Sequence, residues 1–373
     1  MTDVVCYYHD PIKLPLLTGV VLPALSDLTR RHPAVAAHVE RHWLHGPHLR
    51  VRLAGPDADE AAAAEEVAAR LRSYLARHPS TAGISADVLV ERSQAAGLLE
   101  LVPGPYTPIA EDNTVVITPT DTVGLAALLG SDELVRLRSR ALRLGVAALA
   151  GTAEALASAG NTAGARVRAA ITALAAHASR YHLGLGAGYH SLLSHVEQML
   201  FHHDPDGTLR ARFAHTWERN ADPVTELVRA ATSAESADQL AALWHTWAAT
   251  THAEVAAAVD NGVLPFDLPE EYARRGARVG GPDTASRWSA RERTALSEYH
   301  RRLSAVDLRG PEIAPHFTAF RFRTNMLYQL IAVLDVTPVE RYLAASLVAE
   351  AAQRIAGVSW TEHIDQVAAA QGR

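Results

Sequence analysis

The pattern of apolar and polar residues changes about a third of the way along the chain. In the first 120 residues the strictest pattern is an alternation over residues 48–53, where Leu49, Val51 and Leu53 are separated by polar residues. Such alternation is typical of a half-buried strand. Further strands are predicted at 4–8, 84–91, 97–102 and 114–118, and helices at 16–31 and 61–78. Together they predict a small α+β layer over residues 1–120.

Beyond residue 120 the spacing of apolar residues is helical almost throughout. Helices are predicted at 123–158, 164–181, 190–202, 235–261, 288–305, 313–334 and 338–356. The expected fold class is therefore α+β, with a small N-terminal sheet layer and helices followed by a large, mostly helical portion over residues 121–373. We expect the two portions to pack as one integrated domain.

Composition and missing motifs exclude several classes of function. The 373 residues include one cysteine, Cys6, which excludes a disulfide framework and a cysteine-rich zinc module. The net charge of −6 argues against nucleic acid as a partner. Because the sequence has neither a long apolar run nor a signal peptide, we expect a cytoplasmic protein without a membrane partner. Signatures of P-loop, dinucleotide-binding, zinc-protease and serine-hydrolase proteins do not occur.

Histidines are abundant, 19 in all, and the densest group lies between residues 190 and 203. On a helix, Ser191, His195, Gln198 and His202 would form one polar stripe. His195 and His202 would lie about 10 Å apart along the helix axis, which is too far for them to share one zinc ion. The stripe is interpreted either as a solvated face or as the lining of a cavity, and no metal site is expected.

A second polar stripe lies on the predicted strand at 48–53, where His48, Arg50 and Arg52 share one face. Two guanidinium groups about 7 Å apart on a sheet can bind carbonyl or carboxylate oxygens bidentately. The alternative is that both arginines face solvent.

Three segments in chain order resemble the C-terminal domain of lantibiotic dehydratases, which removes glutamate from glutamylated serine and threonine. His48-Leu49-Arg50-Val51-Arg52, after Trp43-Leu44-His45-Gly46-Pro47, is similar to the HLRLR strand of that domain. Tyr7-Tyr8-His9-Asp10 resembles its opening. Thr337-Pro338-Val339-Glu340-Arg341-Tyr342-Leu343, followed by Val348-Ala349-Glu350-Ala351, resembles its end.

A fourth segment departs from that family. Its elimination domains carry an HMHxNRL motif near their last helices, whereas this chain reads Phe320-Arg321-Phe322-Arg323-Thr324-Asn325-Met326-Leu327. Arg321 and Arg323 replace both histidines, which argues against glutamate elimination. Free-standing relatives of about this size are thiopeptide pyridine synthases. The resemblance therefore implies a formal aza-[4+2] cycloaddition between two dehydroalanines, followed by dehydration and elimination of the leader peptide to form a pyridine.

The resemblance also implies a site late in the chain. In pyridine synthases a tryptophan and a tyrosine line the pocket, roles that fall on Trp288 and Tyr299. Their separation of 11 residues places them on one face of a continuous helix, with Glu292 between them. Tyr299 is expected to transfer protons together with His195 or Glu292. Two alternatives stay open: Ser289 and Glu292 fit a capping box, and Tyr299 can be read as an ordinary buried tyrosine.

The candidate site therefore has a catalytic part and a substrate-binding part. The catalytic residues are Tyr299, His195 and Glu292. The substrate-binding residues are Arg50, Arg52, Trp288, Ser191, Gln198, Phe320 and Arg323. The implied reaction requires no metal, nucleotide or redox cofactor.

The expected partner is a modified precursor peptide with its leader and core, and the upstream dehydratase is a second one. The leader is expected at the sheet layer, bound as an added strand or in an apolar groove. Two other functions remain as alternatives to pyridine synthesis. One is a split, lantibiotic-dehydratase-type enzyme for glutamate elimination, and the other is a non-catalytic protein that recognises the peptide for a dehydratase.

Overall fold

The structure, a computed structural model, describes residues 1–233, 236–265, 269–289 and 295–372. Its strands are β1 Thr2–Tyr7, β2 Ala36–His42, β3 His48–Ala54 and β4 Thr114–Pro119. Its helices are α1 Leu14–Leu16, α2 Leu22–Arg31, α3 Asp57–Leu75, α4 Ala86–Glu100, α5 Thr122–Leu129, α6 Asp132–Leu144, α7 Val146–Ser158, α8 Ala163–Ala178, α9 Leu185–His203, α10 Thr208–Thr232, α11 Gln239–Asp260, α12 Pro269–Trp288, α13 Glu298–Leu303, α14 Ala314–Val333, α15 Pro338–Ala356 and α16 Trp360–Ala370. A π-helical turn, Leu17–Val21, connects α1 and α2. The predicted α+β class is confirmed.

Residue contacts divide the chain into two compact units. The sheet unit comprises Met1–Val146, Asp267–Thr294 and Ala332–Asp335. The helical unit comprises Ala147–Phe266, Ala295–Ile331 and Val336–Arg373.

The sheet unit is built on one antiparallel sheet in the order β2-β3-β1-β4. The register places Val4 of β1 opposite Val51 of β3, and Val5 opposite Val116 of β4. One face of the sheet is apolar: Val4, Val51 and Leu53 are almost fully buried, helix α3 contacts β1, β3 and β4, and helix α2 contacts β2. The other face carries the polar residues of the alternating pattern, His48, Arg50 and Arg52. Helix α6 packs against β2.

The prediction of two strands at 84–91 and 97–102 was wrong, because both segments belong to the single helix α4. The Ser85 side chain accepts a hydrogen bond from the backbone N–H of Val88 and thereby caps the helix. Leu101 ends the helix in the left-handed conformation. Apolar residues occur on all sides of α4, and Leu98 and Leu99 remain exposed, so the sequence lacks the one-sided periodicity that identifies a helix.

Four elements lie outside the predicted strands and helices: β2, α10, α12 and α16. Strand β2 has only one strongly β-forming residue, Val39, and it forms by pairing with β3 along its whole length. Helix α10 is kinked at Asn220 and contains Pro223, both of which interrupt a helical pattern. Helix α16 starts with a capping box formed by Ser359 and Glu362.

Helix α15 is the centre of the helical unit, where it contacts α8, α9 and α10. Its buried face is rich in alanine, including Ala344, Ala345 and Ala352, so that neighbouring helices can approach closely. A capping box of Thr337 and Glu340 begins the helix, and Arg166 of α8 donates to the same Glu340 carboxylate at 2.6 Å.

Within the described residues, no single helix combines the length and hydropathy needed to cross a membrane. One bent pair, Asp132–Leu144 with Val146–Ser158, satisfies the criterion by length and composition alone.

Candidate active site

A cavity inside the helical unit brings together several of the side chains predicted from the sequence. Its wall is mostly apolar and is contributed by α9, α13, α14, α16 and the segment before α9. The polar side chains on this wall are Tyr181, His182, His190, Ser191, Ser194, His195, Tyr299, Arg321 and His363. An apolar enclosure with a few convergent polar groups is the usual form of a small-molecule or peptide-residue site.

Helix α9 supplies four of these nine polar side chains, and glycine near its start makes this possible. A Cβ atom on Gly188 would lie 2.0 Å from the carbonyl oxygen of Ala178, so only glycine allows α9 to approach the end of α8 this closely. From that start, His190, Ser191, Ser194 and His195 fall on one helix face at spacings of three to four residues.

Tyr299 is fully buried and lies at the centre of a hydrogen-bond chain. Its hydroxyl donates to the backbone carbonyl of His190 at 3.0 Å and lies 3.1 Å from Nδ1 of the same histidine. Nε2 of His190 lies 2.7 Å from Nδ1 of His363. Burial, followed by the neighbouring Tyr189 and Glu197, raises the pKa of Tyr299 well above its usual value, so its phenol is neutral.

Burial also keeps the two histidines of this chain neutral. It lowers the pKa of His190 to about 3, with the neighbouring His363 as the second cause. Burial likewise lowers the pKa of His363. Both imidazoles therefore have one N–H donor and one acceptor nitrogen at neutral pH.

His195 has a different partner. Its Nδ1 lies 2.9 Å from the hydroxyl of Tyr328, and the guanidinium of Arg341 lies over the Tyr328 ring at 4.6 Å from the ring centroid. Burial, followed by the charges of Arg321 and Arg341, lowers the pKa of His195 to about 3. His195 thus faces the cavity as a neutral imidazole.

Phe320 and Arg323 both lie on α14 but have different positions. Phe320 lines the cavity and stacks on His177 with ring centroids 4.3 Å apart. Arg323 is 1% exposed, and its Nη1 donates to the carbonyl oxygen of Ala248 at 3.1 Å. Among the described residues that line the cavity, neither Arg323 nor Gln198 occurs.

The prediction of one continuous helix over 288–305 was wrong. Helix α12 ends at Trp288, residues 295–297 are not helical, and Ser297 caps the short helix α13 through the N–H of His300. Trp288 belongs to the sheet unit, where its ring stacks on Tyr272 with centroids 5.6 Å apart. Glu292, and with it the proposed capping box, lies outside the described residues.

Arg50 and Arg52 lie on the polar face of the sheet, where buried carboxylates surround them. Arg52 is 1% exposed and donates to both oxygens of Asp3, at 2.8 and 2.9 Å. Arg50 makes longer ion pairs, 3.7 Å to Asp3 and 3.6 Å to Glu40, and its side chain is 21% exposed. The guanidinium of Arg52 is therefore engaged by carboxylates within the sheet, whereas the partly exposed guanidinium of Arg50 can still contact a ligand.

Glu40 completes this network from β2. Its carboxylate accepts two hydrogen bonds from Arg138 of α6, at 3.0 and 2.6 Å, and one contact from His38 at 3.0 Å. Burial alone would raise the pKa of Glu40, but Arg138 and His38 hold it well below its usual value. The polar face is thus a buried ion network that joins β1, β2, β3 and α6.

In the described parts of the chain, no three His, Cys, Asp or Glu side chains are placed to hold a metal ion. His190 instead lies within hydrogen-bond distance of both His363 and Tyr299.

Sequence reasoning missed His190, His363, Ser194 and Tyr328 as site residues. His190 and Ser194 directly precede Ser191 and His195 in the sequence. A wider polar stripe on α9, which also took in the preceding neighbour of each predicted residue, would have included them. His363 and Tyr328 lie more than 130 positions from their partners on α9, and the sequence pattern gives no signal for those pairs.

Comparisons with known proteins identify the family and the fold of the chain. The family model described as "Lantibiotic biosynthesis dehydratase C-term" matches residues 3–351. The chain belongs to this family. A comparison with curated proteins found no match.

Two solved structures share the fold of this dehydratase-family chain over nearly its whole length. The first is "Pyridine synthase, TbtD, from thiomuracin biosynthesis", with a TM-score of 0.68 and 20% identity over 95% of this chain and 98% of that one. The second is TsrL, with a TM-score of 0.60 and 18% identity over 98% of both chains. At these identities the similarity establishes the fold.

The two arginines of β3 are expected to contribute very differently to stability. Arg52→Met leaves Asp3 buried without its bidentate partner, and the free energy of unfolding should fall by about 3–5 kcal/mol. Arg50→Met breaks only long, partly exposed ion pairs and should cost less than about 1 kcal/mol. Urea unfolding of both variants checks the difference, and equal losses would contradict this description of the polar face.

The neutral His195 predicts a dependence of stability on pH. Its pKa is about 3 in the folded protein, whereas an unfolded histidine has a pKa near 6.5, so the unfolded state binds the extra proton between these values. Stability is therefore lost as the pH falls below about 6.5. His195→Asn removes this contribution and should make the slope shallower by up to about 1.4 kcal/mol per pH unit between pH 4 and 6.

The measurement is the free energy of unfolding in urea across that pH range. His215→Asn, on the exposed surface of α10, controls for the loss of one imidazole. A slope in His195→Asn identical to that of the parent would show that His195 is not held neutral.

Proposed function

We propose that this protein is a thiopeptide pyridine synthase. It joins two dehydroalanines of a modified precursor peptide by a formal aza-[4+2] cycloaddition, and then removes water and the leader peptide to leave a pyridine. Support comes from the family, from the fold shared with a pyridine synthase, and from the chemistry of the cavity.

The observation that carries the proposal is the neutral phenol of Tyr299 on the wall of an apolar cavity. Before cycloaddition, the amide attached to one dehydroalanine must become an imidic acid, which requires a proton on the amide oxygen. A neutral phenol donates a hydrogen bond to such an oxygen and can transfer its proton as the azadiene forms. Tyr299 is the proposed proton donor.

His195 is the second catalytic group of the proposal. Since Nδ1 is occupied by Tyr328, Nε2 is the nitrogen that exchanges a proton with the substrate. In the neutral imidazole this nitrogen accepts the amide proton when Nδ1 carries the ring hydrogen. Glu292 remains a candidate for the same task.

The remaining wall positions the substrate. Holding two dehydroalanines at reacting distance converts a bimolecular step into an intramolecular one and lowers the barrier by several kcal/mol, up to about 7–11 kcal/mol in ideal cases. Phe320 and Ser191 supply an apolar and a polar contact on this wall. Gln198 and Arg323, on the same helices as His195 and Phe320, support this wall from behind in the proposal. In the sheet unit, Trp288 is proposed to stack on flat rings of the peptide and Arg50 to bind its carbonyl groups, while Arg52 holds the strands together through Asp3.

The reaction rearranges bonds and releases water and a leader amide without a net transfer of electrons. It therefore needs no redox cofactor, and no nucleotide or metal takes part in the proposed steps. The substrate must already contain dehydroalanine, so a dehydratase acts first and is the expected partner. We place both reactions in the cytoplasm.

We further propose that the leader peptide binds along β4, the edge strand next to β1. An edge strand can pair with an added strand through its free backbone groups. Val116 of β4 is 41% exposed, and the following helix α5 is apolar without a buried residue, with Val123 80% exposed. Pairing with β4 and contact with α5 would cover both.

Tyr299→Phe tests the central step. The variant keeps the ring and its packing but loses the transferable proton, so single-turnover product formation should fall by about 10²–10⁴-fold while the protein stays folded. The assay incubates the enzyme with a synthetic leader peptide carrying two dehydroalanines and follows the product by mass spectrometry. Melting temperature is measured on the same preparations.

Tyr189→Phe is the matched control. Tyr189 is also buried, and its hydroxyl has no hydrogen-bond partner among the residues that the structure describes, so turnover should be unchanged. A folded Tyr299→Phe variant with normal turnover would remove Tyr299 from the mechanism. Loss of glutamate from a glutamylated peptide without pyridine formation would favour the elimination enzyme. Binding without any reaction would favour the recognition protein.

The leader site predicts a difference in affinity. Calorimetry should show tighter binding of the peptide with its leader than of the core alone, and weaker binding as salt rises if the leader is acidic. Val116→Lys should weaken leader binding at least tenfold, because a charged edge resists an added strand. Val339→Lys on α15, where the valine is 52% exposed, is the control. Equal affinity with and without the leader would refute the site.

A further inference from the structure

The hydrogen-bond chain of Tyr299 continues beyond the cavity towards the surface. It runs from the Tyr299 hydroxyl through both ring nitrogens of His190 to Nδ1 of His363. His363 lines the cavity and also a neighbouring depression at the protein surface, which Leu183, Val358 and Gln366 border. The chain thus begins at a fully buried phenol and ends at a partly exposed imidazole.

The same three groups can be hydrogen-bonded in two ways. In the first arrangement Tyr299 donates to the carbonyl oxygen of His190, His190 donates from Nδ1 to the phenol oxygen, and His363 donates from Nδ1 to Nε2 of His190. In the second, Tyr299 donates to Nδ1 of His190, and Nε2 of His190 donates to Nδ1 of His363. All the atom pairs required lie within 3.1 Å, so the same positions of the three side chains are compatible with both arrangements.

We propose that His190 and His363 form a relay that replaces the proton of Tyr299 from solvent after each transfer to the substrate. The inference rests on the proposed function, in which Tyr299 is the proton donor. His190 and His363 do not touch the reacting atoms in this scheme, and they act through Tyr299.

The proton count balances. The phenol O–H bond breaks and its proton passes to the substrate oxygen. The proton on Nδ1 of His190 moves to the phenol oxygen, and the proton on Nδ1 of His363 moves to Nε2 of His190. Water then supplies one proton to Nε2 of His363, which converts the first arrangement into the second. After product release, exchange of the N–H protons of both imidazoles with water restores the starting state.

Burial makes this route suitable for the site. Each histidine gains a proton on one nitrogen as it loses one from the other, so neither must exist as a charged imidazolium inside the apolar helical unit. A histidine that simply accepted a proton there would carry the full cost of a buried charge. The low pKa of His190 is thus no obstacle to the transfer.

His363→Ala provides the test, because the variant opens a space that a small molecule can enter from the surface depression. The steady-state rate of product formation should fall about 10²-fold, the lower end of the range for groups that transfer protons. Imidazole added at millimolar concentration should restore most of that rate. N-Methylimidazole has nearly the same shape, but its methyl group blocks one nitrogen. It therefore cannot accept a proton on one nitrogen while releasing a proton from the other, and it should not restore the rate.

The outcomes separate a relay from a structural role. Restoration by both compounds would show that His363 only fills space, and a normal rate in a folded His363→Ala variant would also overturn the relay. Because His363 acts through Tyr299, the double variant His363→Ala with Tyr299→Phe should react no more slowly than Tyr299→Phe alone, and imidazole should have no effect on it. His215→Ala, an exposed histidine on α10, controls for unspecific effects of imidazole.

Failure of the proposed function has a different result. If the unaltered protein forms no pyridine from the bis-dehydroalanine peptide, the proposed function is wrong. If it does and only the His363 results disagree, the relay alone is wrong.

Discussion

The cost of enclosing polar groups among apolar helices is the constraint on which the candidate site depends. The hydroxyl of Tyr299 is shut off from water, and an unpartnered buried hydroxyl would cost about 1–3 kcal/mol. Helix α9 removes that cost with a backbone carbonyl and an imidazole from one residue, His190. This pairing fixes where α13 lies against α9, and it keeps the phenol un-ionised at the cavity wall.

The two units meet the same constraint by different chemistry. In the sheet unit, fully charged groups are buried together: Arg52 and Arg138 neutralise Asp3 and Glu40. In the helical unit, neutral imidazoles and phenols are paired with each other, as in His195 with Tyr328. The first solution gives rigidity and holds strands to a helix. The second leaves protons that can move, which is what acid–base chemistry requires.

The sequence allowed the fold class and most long helices to be predicted, because strict alternation at β3 and helical periodicity at α8, α11 and α15 are local signals. It failed at α4, where apolar residues surround the helix, and at β2, which depends on pairing with β3. The sequence predicts Tyr299, Ser191 and His195 as site residues, and in the structure all three line one cavity. Their partners came from distant segments. The Asp3 carboxylate that engages Arg52, 49 residues away, could not be foreseen from the strand alone.

The burial of two single residues bears on the proposed dehydroalanine substrate. The sequence contains one cysteine and one lysine. Cys6 is 1% exposed on the apolar face of β1, and burial raises the pKa of its thiol to about 12. Lys13 is 0% exposed, and its side-chain nitrogen donates to the carbonyl oxygens of Tyr8 and Asp10. Dehydroalanine is an electrophile that alkylates thiolates and free amines. A chain whose cationic surface is made of arginine, and whose thiol and side-chain amine are both enclosed, presents such a peptide with no accessible cysteine or lysine side chain that could form an unwanted covalent adduct.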